Sequence, residues 1–177
     1  MAPTADRREE LAEAGPGERM RAPTTGTPRW VQATSLLLCV AGLAVAGYLT
    51  YEHYSASVTL ACPDTGVVNC FKVTTSQYST LLGIPVALLG LLFFAGETLL
   101  CLPWAWRARL PAVGLLRLAG ASVGVLFVFY LVYAELFRID AICLYCTAVH
   151  VITLLLFFVV AFGQALTGTR HTASSAD

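Results

Sequence analysis

The chain has 177 residues, room for one domain, of which 57% are hydrophobic and only 12% charged; this excludes an ordinary soluble globular protein and points to the membrane. Eleven Lys and Arg balance eleven Asp and Glu, so there is no basic excess to suggest nucleic acid as a partner.

In chain order, a head over residues 1–29, rich in Pro, Gly and charge, reads as disordered. Residues 31–50 then form the first of four stretches that reach the about 20 apolar residues a membrane-crossing helix requires. The others are residues 83–102, 113–134 and 141–164. Ala44-Val45-Ala46 resembles a signal-peptide processing site, but the apolar run continues past it, so the first helix is expected to stay. Glycines recur in the stretches (Gly42, Gly47, Gly90, Gly96, Gly120, Gly124), as close helix packing in lipid favours. Residues 51–82 are a long polar loop, and residues 167–177 a polar tail that reads as disordered like the head. There is no internal repeat. The expected fold is an all-α membrane protein, a bundle of four transmembrane helices over residues 30–166.

Arg7, Arg8, Arg19, Arg21 and Arg29 in the head, with Arg107, Arg109 and Arg117 around the second connection, put both termini on the cytoplasmic side by the positive-inside rule. The 51–82 loop and the 135–140 connection, with only Lys72 and Arg138, then face outward. Glu97 and Arg117 fall at similar depth in the second and third helices and are expected to pair.

Two of the six cysteines, Cys39 and Cys101, sit alone in apolar stretches, where a thiol behaves as a small hydrophobe. The other four, Cys62-x7-Cys70 in the long loop and Cys143-x2-Cys146 at the start of the fourth helix, fall on the oxidising side, where disulfides persist. Structural disulfides, a four-cysteine zinc site and thiol–disulfide exchange all fit such pairs. Exchange is favoured, because a Cys-x2-Cys bridge closes a very small ring, and a helix N-terminus stabilises a thiolate. Asp140 is the expected N-cap, although its own charge opposes that thiolate. Cys143, Cys146 and His150 share one helical face, and an ionisable side chain at that depth is a candidate for function. His150 could bond a carbonyl ligand or a neighbouring helix. A lipid-soluble quinone could reach this face from the bilayer and accept both electrons of a dithiol.

These residues resemble the vitamin K epoxide reductase family, in particular its bacterial branch of disulfide-forming enzymes. The resemblance rests on Cys62 and Cys70 in the first outer loop, Ser76 six residues after the second cysteine, Gly83-Ile84-Pro85 at the entry to the second helix, and Cys143-Leu144-Tyr145-Cys146 opening the fourth. It implies a four-helix bundle around a quinone, ubiquinone or menaquinone, capped by the outer loop, with Ser76 beginning a short helix along the membrane surface. Cys62 and Cys70 would carry electrons from a thioredoxin-fold protein to Cys143, Cys146 would touch the quinone, and His150 and Ser76 would help hold it. The chain ends soon after the fourth helix, so the thioredoxin-fold partner is expected to be a separate protein on the outer face. Animal relatives have tyrosine where His150 stands, which argues against epoxide reduction. The remaining expectation from another class is a small membrane scaffold or carrier whose outer loops are stapled by disulfides.

Overall fold

A computed structural model describes residues 27–55, 62, 65–107 and 110–174, with side chains as far as residue 166. Residues 1–26 of the expected head, and the end of the tail from residue 175, lie outside the described residues.

The first long helix, α1 (Arg29–Tyr54), starts behind Pro28, whose carbonyl accepts the amides of Val31 and Gln32 at 3.1 and 3.4 Å. Gln32 Nε2 also donates to Thr27 O at 3.0 Å. A short helix, α2 (Cys70–Thr74), and a 3-10 turn (Gln77–Ser79) lead into a hairpin of β1 (Thr80–Leu81) and β2 (Ile84–Pro85). Helix α3 (Val86–Cys101) stops before Pro103, which has no amide hydrogen to give and disfavours a helical residue ahead of it. That proline opens the short α4 (Pro103–Arg107). Another proline, Pro111, sits in the first turn of α5 (Pro111–Ala134), where its missing N–H costs nothing. Helix α5 runs on into a π-helical turn (Glu135–Ile139), and α6 (Leu144–Ser174) completes the chain. α6 continues past Gln164, where the apolar stretch stops.

Among the described residues three helices are long and apolar enough to cross a membrane: α1, α5 with its π turn, and α6. Helix α3 has 16 residues, or about 24 Å of rise against a hydrocarbon core of about 30 Å. It is shorter than the apolar stretch 83–102 because the stretch's first residues belong to the hairpin. Leu82 and Gly83 both have positive φ, 54° and 82°, as a two-residue hairpin turn of mirror type demands. Leu82 is 97% exposed, which suits an apolar tip resting in lipid. No neighbour would meet a Cβ at Gly83, so Gly83→Ala should cost only the backbone penalty of about 1–2 kcal/mol, checked by denaturant titration in micelles.

The long helices pack as a ring in which α1 touches α3 and α6, and α5 touches the same two. Cys39, Phe94, Cys101, Leu156 and Val160 form the buried centre, so the two lone cysteines pack as expected. A Cβ on Gly42 would collide with the Phe94 ring, which fixes how closely α1 approaches α3. Gly96, by contrast, meets nothing, so its place in the glycine pattern has no packing role.

Glu97 and Arg117 are both buried, but they do not form the expected ion pair. Arg117 Nε donates to Leu100 O at 2.8 Å, and its guanidinium lies 3.5 Å from the centroid of the Trp106 ring. Glu97 Oε2 has no hydrogen-bonding partner. The arginine fork is already engaged by a backbone carbonyl at the end of α3 and an aromatic face on α4.

Candidate functional site

The site lies at the end of the bundle where α3 and α6 begin. The outer loop is fastened there through its backbone: Val68 pairs in parallel with Ile142, Asn69 N donates to Ile142 O at 3.1 Å and Ile142 N to Val67 O at 2.9 Å. Each bridged segment is followed at once by a cysteine, Cys70 in the loop and Cys143 before α6, so the bridge brings the two sulfur pairs together. Asn69 caps α2, its Oδ1 accepting the Lys72 amide at 2.8 Å. Arg138 Nε donates to Tyr78 OH at 2.8 Å, a second tie between loop and π turn.

Cys70, Val73, Ile139, Ala141 and Cys143 form one buried cluster, with Cys62 and Cys146 packed against it. Cys62 and Cys70 are joined in a disulfide, while Cys143 and Cys146 are free thiols. The four cysteines singled out from the sequence are thus all in one place.

Asp140 is not the N-cap of α6. It has left-handed φ 52° and ψ 46° and closes the π turn, its amide donating to Glu135 O; a short polar side chain tolerates that conformation. Cys143 takes the capping position instead, its Sγ accepting the Cys146 amide at 3.3 Å. The Cys146 thiol also donates to Cys143 Sγ, and with the amides of Cys146 and Tyr145 it holds the Cys143 thiol below its ordinary range, against the opposing effect of burial. The helix N-terminus therefore acts directly on the first cysteine of the pair.

Below the cluster a cavity of about 860 Å³ opens between the helices. Leu49, Val86, Phe93, Phe94 and Val128 supply apolar wall; Cys146, His150 and Glu135 supply polar groups, and Cys62, Cys70 and Ser76 border it from the loop. Cys143 is fully buried beside it. Cys146 and His150 line the same cavity, as their shared helical face requires. His150 is 5% exposed, and among the described residues no protein group hydrogen-bonds its ring, so the neighbouring-helix bond open from the sequence is not formed. Ser76 does not begin the short helix, which starts at Cys70 because Asn69 caps it; Ser76 precedes the 3-10 turn, and its Oγ donates to Val73 O at 2.8 Å.

Glu135 escaped the sequence reading. It begins the π turn, is 6% exposed, and its side chain meets that of Cys146. It stands first in the 135–140 connection, next to the apolar stretch that ends at residue 134; an acidic residue within one helical turn of that edge was the available signal.

The family model described as the Vitamin K epoxide reductase family matches residues 33–161, most of the chain. The four cysteines, Ser76, Glu135 and His150 all fall inside the matched range.

Proposed function

The chain belongs to the vitamin K epoxide reductase family and is a membrane oxidoreductase, and from that premise we propose that it oxidises a separate thioredoxin-fold protein and passes the electrons to a lipid quinone. The observation that carries this reading is the stacking of an outer disulfide and an inner thiol pair in one cluster directly above a largely apolar cavity of about 860 Å³. That volume lies within the range of small-molecule sites, and the donor set at one end suits a carbonyl ligand. When bound, the quinone supplies a two-electron, two-proton acceptor.

The residues divide the work by accessibility. Cys62, in the loop, meets the partner's thiolate; Cys70, held at the bridge, attacks Cys143; and Cys146, lining the cavity, delivers the electrons. A thiol with a depressed pKa leaves readily in exchange, so the environment of Cys143 favours its release when Cys62 re-forms the bridge with Cys70. His150 is placed to donate a hydrogen bond to a quinone oxygen, and the apolar wall excludes water. His150→Phe should slow quinone reduction about 100-fold, the effect of losing one donor in a dry site, while exchange with the partner continues. Unchanged quinone reduction would make His150 a packing residue.

We place four crossings in this protein, α3 with its hairpin being the shorter fourth, with both termini cytoplasmic and the cysteines outside. Arg29 and Arg107 stand at the opposite end of the bundle from the cysteines, where Val31 and Trp106 meet around Gly163. In a background without native thiols, cysteine at Thr65 should react with an impermeant maleimide on intact cells and cysteine at Ala108 should not. Equal labelling overturns the orientation. The enzymatic test is purified protein given a reduced thioredoxin-fold substrate and a soluble quinone: quinol should form, and should not form with Cys146→Ser.

A further inference from the structure

Helix α5 does not end as a plain helix. Its last turn widens into a π turn at Glu135, a distortion that recurs at functional positions because the extra residue re-aims a side chain. Here it turns a carboxylate into the interior, with 6% of the residue exposed. A buried carboxylate without a purpose is costly, yet no cation among the described residues is paired with it. What meets it is the Cys146 side chain, close enough for the thiol and the carboxylate to interact, and both groups line the cavity. The same thiol also lies beside Cys143 Sγ. One S–H proton therefore stands between a sulfur that needs it during disulfide exchange and a carboxylate that faces the ligand space.

From this geometry we propose that Glu135 is a catalytic residue, the base that takes the Cys146 proton as the inner thiols are oxidised and returns it towards the cavity. The inference rests on the quinone reading above. In the balanced step, the Cys143 and Cys146 thiols lose two electrons and two protons and form one disulfide, and the quinone gains both electrons and both protons to become a quinol. The Cys146 proton moves to Glu135 and from there to a quinol oxygen, which leaves the carboxylate as it began. Carrying the proton inside a dry site avoids releasing it into hydrocarbon. Other titratable groups facing this space are Cys146 and His150 on the α6 side, Glu52 and His53 at the end of α1, and Tyr78 in the loop, with Cys143 buried beside Cys146.

The test compares the intact protein with Glu135→Gln, Glu135→Asp and Cys146→Ser. Glu135→Gln should slow quinone-driven oxidation of the inner thiols about 100-fold or more, the usual worth of a positioned base, with partner exchange at the normal rate. Glu135→Asp, which keeps the carboxyl, should recover most of the rate. Normal quinone reduction in Glu135→Gln overturns the proposal, as does loss of partner exchange in that variant or an aspartate variant as slow as the glutamine one. If the intact protein itself reduces no quinone, the underlying reading fails, a result distinct from failure at Glu135.

Discussion

Cys146→Ser is expected to stop quinone reduction altogether, by about 1000-fold or more, as loss of a reacting nucleophile does, while leaving the fold in place. Cys146 is half-buried on the cavity wall, and the serine hydroxyl is smaller and keeps a donor for Cys143 Sγ, so the change removes chemistry with little packing loss. The variant should also change which sulfurs are joined. Without Cys146, the bridge that Cys143 makes with Cys70 can be resolved only by Cys62, which re-forms the outer disulfide and releases Cys143. In Cys62→Ser with Cys146→Ser that bridge becomes the one disulfide these positions can form, and non-reducing gels with peptide mapping should show it accumulating. The contact is already prepared, since Cys70 and Cys143 share one buried cluster. Finding the partner attached to Cys143 instead, with Cys62 and Cys70 dispensable, would reduce the outer pair to a staple.

The partition of this molecule into apolar spans was legible because it depends on composition over some twenty residues, which no tertiary contact can disguise. The pairing of cysteines with a helix start was equally legible, since Cys-x2-Cys and the helix period are local. What escaped depends on contacts between distant segments. The bridge of Val68 to Ile142, which brings the two sulfur pairs together, has no local signature in either segment. The start of α3 was placed at Gly83 rather than Val86 because Leu82 in a left-handed conformation runs against the usual Asn-Gly turn chemistry. The π turn was missed for a related reason: it breaks the 3.6-residue period on which the face of Glu135 would have been judged. Asn69, in contrast, was a readable cap ahead of α2, and reading it would have moved the start of that helix from Ser76 to Cys70.

At the far end of the bundle, Arg117→Met should be the most destabilising single change outside the site. The loss is expected at about 3–5 kcal/mol, the scale for leaving a buried charge unmatched, and unfolding in mixed micelles would measure it. Arg117 is 2% exposed and Glu97 3%, so neither reaches solvent to relieve the other's charge. Yet the two residues are not equivalent. Arg117 satisfies Leu100 O and covers Trp106 whether or not Glu97 is charged, whereas Glu97 Oε2 bonds nothing. Glu97→Gln should therefore cost little, and should lessen the damage of Arg117→Met when the two are combined, because the double variant no longer buries an uncompensated carboxylate. The direct pairing expected from sequence would instead make Glu97→Gln costly by itself, with Arg117→Gln relieving it. A mild Arg117→Met would show that the guanidinium bonds contribute nothing to holding α4 and α5 against α3.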